Sequence, residues 1–243
     1  MTTPDLQHDI SVCFDSQAAP RDRIVFGGGS PPLAVRVLRR TGDQALRSVI
    51  ADVPAGWCVT STGAPGHVQG YVLDGAASLD GRALPVGGFF VQKGGTGLRN
   101  LATQDGARLL FIFDGAPDFS ARAPAAPVVF LENALDVEAI TPVVNGVRKV
   151  GFSRSVLWKD TANGADTRLL QVAQFEGKGP SWHPVHEEIF CLRGDIGPDD
   201  RRLMKPGWYL HNPAFGIHGY HEHSHGGATV LEWHDGEWSS NPA

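Results

Sequence analysis

Residues 181–194 read Ser-Trp-His-Pro-Val-His-Glu-Glu-Ile-Phe-Cys-Leu-Arg-Gly, and residues 206–219 read Pro-Gly-Trp-Tyr-Leu-His-Asn-Pro-Ala-Phe-Gly-Ile-His-Gly. His183, Glu187 and His218 supply two imidazoles and one carboxylate from these segments. Such a set binds one divalent ion per chain and leaves coordination positions open. That suits non-haem Fe(II) with substrate and O2 beside it, although Zn, Mn or Ni accept the same donors. Glu188 is a rival carboxylate, which strand alternation places on the opposite face from Glu187. His186 is a further candidate ligand. His211 lies in a strand pattern and is a candidate catalytic acid or base near neutral pH. A packed, hydrogen-bonded histidine is the plainer reading of His211. The run His221, His223, His225 reads more simply as a solvated loop than as a second metal site.

The skeleton around this set occurs twice. Residues 66–75 and 88–91 match 185–194 and 207–210, so that Gly75 falls on Gly194 and Gly88 on Gly207 without a gap. Leu109-Leu110 and Asp114-Gly115 then match Val230-Leu231 and Asp235-Gly236. At the places of His183, Glu187 and His218 the first copy has Ala64, Val68 and Arg99, and it keeps only His67, the counterpart of His186. The pattern reads as a duplicated unit with one live site and one retired one.

The elements that position these residues read as strands. Apolar runs at 34–38, 46–51, 68–73, 89–92 and 107–113 are separated by turn residues, and 154–158, 168–175, 187–192, 207–211 and 228–234 repeat the order. A short helix or turn is expected within 131–140. Residues 121–127, Ala-Arg-Ala-Pro-Ala-Ala-Pro, have linker composition. Two domains follow, 1–120 without metal ligands and 130–243 with them. Residues 1–30 read as a polar lead-in. Their triple glycine, Gly27-Gly28-Gly29, lacks a following Lys-Ser/Thr and reads as a turn rather than a phosphate loop.

Composition excludes several classes. A formal charge of −5 with scattered Lys and Arg argues against nucleic acid as a partner. No apolar run is long enough to span a membrane, and no secretory signal is evident at the start. Three cysteines without C-x-x-C spacing suit reduced thiols in the cytoplasm better than a disulfide scaffold. The aromatics of the second half, Trp158, Trp182, Trp208 and Trp233 with Tyr209 and Phe190, are core filler or the walls of an apolar pocket. Arg154, Arg168 and Arg193 are alternatives for pairing a substrate carboxylate.

The two segments resemble the signature motifs of the cupin superfamily. The first motif runs His-x-His-x-x-x-Glu, then six residues and Gly; His183, Glu187 and Gly194 fit it, while its first histidine falls on Ser181. Gly207, Pro213 and His218 fit the second. The wording around Gly207 and Pro213 is similar to the cupin part of ChrR-type anti-sigma factors. The resemblance implies an all-β fold of two tandem cupin (jelly-roll-like) β-barrels, a bicupin, and a metal-dependent oxidoreductase. Such an enzyme would be a non-haem Fe(II) dioxygenase acting with O2 on a small aromatic or keto substrate. A redox-neutral isomerase, decarboxylase or hydrolase is the first alternative, and a ChrR-like sensor module the second. A homodimer is the expected assembly.

Overall fold

The computed structural model describes residues 6–8, 10–27, 29–177 and 179–243. In chain order the principal strands are β1 (Val12–Asp15), β2 (Arg21–Ile24), β3 (Leu33–Arg40), β4 (Leu46–Val53), β5 (Val68–Gly75), β6 (Phe89–Gln92), β7 (Ala107–Phe113) and β8 (Val129–Leu131). They continue as β9 (Phe152–Lys159), β10 (Asp166–Val172), β11 (Glu187–Gly194), β12 (Trp208–Asn212) and β13 (Ala228–His234). Each run expected from the sequence is a strand or lies largely within one. Among the described residues, helix is confined to 3-10 turns at Ser16–Ala18 and Ala134–Asp136. The second falls within 131–140, the place of the expected short helix. Gly28 lies outside the described residues.

The chain divides into two compact units, Ala19–Asp136 on one side and the described part of Met1–Ala18 with Val137–Ala243 on the other. The first unit has an antiparallel sheet in the order β8-β6-β5-β7-β4-β3-β2 and a smaller sheet of Arg82–Leu84, Ala77–Leu79, Leu101–Ala102 and Cys58–Val59. Val35, Val49, Val68, Phe111 and Phe113 from the large sheet join Val59, Leu79, Leu84 and Leu101 from the small one in a single apolar core. Burial of these side chains, about 1.5–3 kcal/mol each, drives the layers together.

The second unit has the order β9-β10-β13-β11-β12-β1. Its edge strand β1 pairs Val12 with His211 and Phe14 with Tyr209. The leading residues therefore belong with the later half, a departure from the domain boundary of 1–120. Backbone pairing carries this assignment, and a short strand whose Val12 stays 49% exposed leaves little apolar pattern to read. Strand order in both large sheets is linear. The jelly-roll units are thus open at their sheet edges rather than ringed by continuous hydrogen bonds.

One of the glycine pairs matched in the sequence has the same physical job in both units, whereas strand register sets Gly207 level with Gly87 rather than Gly88. Gly75 and Gly194 end β5 and β11 at φ of +71° and +73°. A Cβ there would come within 2.4 Å of the Gly106 carbonyl oxygen in one unit and 1.9 Å of the Gly227 oxygen in the other. Only glycine fits both the dihedral and the space.

Candidate metal centre

Strand register assembles the centre. Glu187 on β11 stands opposite Asn212 of β12 and His234 of β13, while Arg168 and Asp166 of β10 stand opposite Glu232 and His234. Opposed residues of an antiparallel pair share a face. These six polar side chains therefore form one inner surface. His183 enters from the turn before β11. His218 enters from the segment after β12, held by reciprocal backbone hydrogen bonds with Ser181 of 2.9 and 3.0 Å.

Three donors converge. The Nε2 atoms of His183 and His218 are 3.1 Å apart. Glu187 Oε1 is 3.4 Å from His183 Nε2, and its Oε2 is 3.6 Å from His218 Nε2. His183 Nδ1–H donates to the Ser239 carbonyl at 2.8 Å, and His218 Nδ1–H to the Gly216 carbonyl at 3.0 Å. A carbonyl can only accept, so both protons sit on Nδ1 and both Nε2 lone pairs face the same point. Facing lone pairs repel unless a cation lies between them. Ligand bonds of about 2.0–2.2 Å reconcile these separations with one shared ion. The residues present fit a divalent metal, and the backbone carbonyls supply the outer hydrogen bonds that fix ring orientation.

Electrostatics keep the donors ready. Burial, partly opposed by Glu187 and reinforced by His218, pushes His183 down to about 4, so it stays neutral at ordinary pH. Burial would raise Glu187, but His183, His234 and His218 outweigh it and hold the carboxylate well below its usual range. Asn212 Nδ2 donates to Glu187 Oε2 at 2.7 Å, and Trp238 Nε1 to Oε1 at 3.3 Å. Behind Glu187 lies a buried charge network. His234 Nδ1 donates to Asp166 at 2.7 Å, and its Nε2 is 3.2 Å from Glu232 and 3.4 Å from Glu187. Burial opposes a charge on His234, yet Asp166, Glu187 and Glu232 push it up to about 10. Arg168 pairs with Asp166. Partnering of this kind is what makes buried ions tolerable, since an uncompensated one costs several kcal/mol.

A cavity of about 210 Å³ opens on the donors. His183, Glu187, Ser181 and Trp238 line it, with Phe152, Leu170, Ile189 and Ile196 as apolar wall and Lys149 and Arg154 as cations.

Two of the expected site residues lie elsewhere. His186 and His211 stack on one another, with Nδ1 of one 3.0 Å from Nε2 of the other. His211 is opposite Glu188, on the face of the sheet turned away from Glu187 and Asn212. Neither histidine belongs to the converging set, which corrects His186 as a ligand and His211 as a catalytic group facing the cavity. Strand alternation decides this: Asn212 points inward, so its neighbour His211 points outward. Glu188, the rival carboxylate, is buried there and accepts from the Tyr209 hydroxyl at 2.7 Å. His221, His223 and His225 line a separate surface pocket with Glu176.

Sequence reading missed Asp166, Glu232, His234, Asn212 and Trp238. A signal for two of them existed. Glu187 pairs with His234 as Val68 pairs with Phe113, and Arg168 with Glu232 as Val49 with Phe111. Polar residues thus stand at two alternate positions of β13, Glu232 and His234, where the first unit keeps the core residues Phe111 and Phe113. The matching place in the first unit is occupied by the core residues Val68, Phe111, Phe113 and Ala64. The match of Arg99 to His218 is one residue off. Leu98 N bonds the Thr62 carbonyl as His218 N bonds that of Ser181, so buried Leu98 holds the place, while Arg99 pairs with Asp80 outside.

Fold and site together define an all-β chain of cupin fold, with a buried donor set of two histidines and a glutamate in its second unit. No protein-family model and no curated protein sequence matches the chain. Solved structures do. A candidate dioxygenase from Nostoc punctiforme superposes with a TM-score of 0.79 at 16% identity, covering 96% of this chain and 84% of that one. Oxalate decarboxylase from Lactobacillus farciminis, solved as a formate complex, gives 0.59 at 12% identity with 100% and 89% covered. Oxalate decarboxylase from Bacillus subtilis gives 0.56 at 13% identity with 100% and 79% covered. Likeness at these identities establishes the fold. Among the described residues no helix is long and apolar enough to cross a membrane.

Proposed function

We propose that the chain is a metal-dependent oxidoreductase, a non-haem Fe(II) dioxygenase acting on a small aromatic or keto substrate. The observation that carries this reading is the incomplete donor set. His183, Glu187 and His218 converge, while Ser181 stands where a further motif histidine would crowd the ion. Two imidazoles and one carboxylate with open positions suit Fe(II) oxygen chemistry. When bound, the ion supplies Lewis acidity and one-electron reactivity toward O2 that side chains lack.

The chain's own residues do the rest. His183 and His218 are held with Nε2 turned to the shared point by their Nδ1–H bonds. Trp238 packs against the His183 ring, tilted by 39° at a centroid distance of 5.0 Å. Phe152, Leu170, Ile189 and Ile196 present an apolar surface to the substrate's carbon skeleton.

A second reading is a redox-neutral decarboxylase. It is favoured by the oxalate decarboxylase structures, which cover this chain over its whole length. Elemental analysis of aerobically and anaerobically purified protein separates the two, together with O2 uptake on phenolic and keto compounds. The first reading expects iron and O2-dependent turnover. Turnover without O2 consumption overturns it in favour of the second.

A further inference from the structure

Arg154 sits on β9 and lines the cavity together with His183 and Glu187. Glu232 lines the same cavity, and the charged groups behind that wall are paired with one another. Arg168 is taken up by Asp166, His234 lies against Asp166, Glu232 and Glu187, and Glu187 faces the histidine pair. Lys149 and Glu222, also on the wall, carry opposite charges. No carboxylate hydrogen-bonds the Arg154 side chain among the described residues; its Nε is buried without a hydrogen-bond partner. Glu232 acts on the guanidinium through space, and the Trp238 ring lies 4.9 Å from its Cζ.

A guanidinium presents a planar fork of N–H donors that matches a carboxylate with two parallel hydrogen bonds. Arg154 is half-buried on the cavity wall and only its Nε is enclosed without an acceptor, so an acceptor that arrives with the ligand supplies the missing partner. The wall beside it is apolar: Phe152 and Leu170 come from the same pair of strands, β9 and β10, and Leu170 is Arg154's direct cross-strand neighbour.

We infer that Arg154 receives the carboxylate of a small organic acid, whose apolar body rests on Phe152, Leu170, Ile189 and Ile196 beside the donor set. This names the substrate class of the proposed enzyme, and it rests on that reading only for what happens after binding. A volume of about 210 Å³ confines the ligand to a small molecule. Arg168 also keeps Nε and Nη1 buried without a hydrogen-bond partner, but it is not on the cavity wall and its Nη2 holds Asp166, while Arg193 lies exposed at the end of β11.

Calorimetric titration of the metal-free full chain with benzoate against benzamide, and pyruvate against pyruvamide, tests this. At least one acid is expected to bind ~10-fold or more tightly than its amide, the worth of charge-assisted hydrogen bonds. Arg154→Gln should abolish that preference while leaving amide affinity unchanged, which shows the cavity is intact. Arg154→Lys should restore part of it, and Arg193→Gln should leave it whole. No acid preference in the wild-type protein, or a preference surviving in Arg154→Gln, overturns the inference. Metal uptake is measured on the same samples. Normal uptake without acid preference sinks the carboxylate subsite alone. Acid preference without any uptake supports the subsite and sinks the metal-centre reading.

Discussion

Ser11 Oγ donates a 2.6 Å hydrogen bond to Asn212 Oδ1, which turns the amide nitrogen of Asn212 toward Glu187 Oε2 at 2.7 Å. The leading segment of the chain thereby orients a candidate metal ligand in the far half of the sequence. Outer hydrogen-bond partners of ligands are worth about 10- to 100-fold in metal affinity. Asn212→Ala is expected to fall in that range and Ser11→Ala toward its lower end, as read by competition with a chromophoric chelator. Unchanged affinity in both variants contradicts the orienting role.

His186 and His211 form a pair of their own, away from the converging donors. Their alanine variants should keep the metal stoichiometry and chelator-competition curve of the parent. A stoichiometric loss of metal in His211→Ala means that the face assignment of β12 is wrong.

Stability of the metal-free protein should be dome-shaped in pH. His183 is pushed from 6.5 down to about 4, with burial as the main cause. The unfolded chain then binds more protons than the folded one across that window, and stability falls as pH drops through it. His234, despite its burial, is pushed from 6.5 up to about 10 by Asp166, Glu187 and Glu232. There the folded chain holds the extra proton, and stability falls as pH rises from 6.5 toward 10. Thermal melts at fixed ionic strength check both limbs. His234→Gln should flatten the alkaline one, and a wild-type protein with no alkaline decline contradicts the assignment.

The matching place in the first unit offers a converse test. Val68 occupies the place of Glu187, is 1% exposed, and packs in the core with Phe111 and Phe113. Val68→Glu buries a carboxylate without a partner and should cost about 3–5 kcal/mol or prevent folding. Denaturant titration reads the loss. A stable variant that gains a second metal would show the first unit to be a silent site rather than a filled one.

Most of the strand order and the three converging donors are legible in the sequence because they rest on local signals. Apolar runs bounded by turn residues mark β5, β7, β11 and β13, and Gly194 marks a turn only glycine can make. Partners joined across strands are less legible. Asp166, Glu232 and His234 meet through register, which no single segment reveals, and Trp238 reaches Glu187 from beyond the last long strand. The edge strand Val12–Asp15 is hidden for a related reason: its pairing is made by backbone atoms, and its side chains carry little pattern. Sequence alone matches Arg99 to His218 because loops of unequal length precede them, and only the backbone bonds of Leu98 and His218 settle the alignment.

The central claim is that His183, Glu187 and His218 share one ion. Metal analysis by mass spectrometry after dialysis against a weak chelator tests it most directly, on the wild-type chain, His218→Ala and His211→Ala. One metal per chain is expected in the wild type and in His211→Ala, and none in His218→Ala. Full occupancy retained by His218→Ala, or a wild-type chain that takes up no metal, would contradict the account.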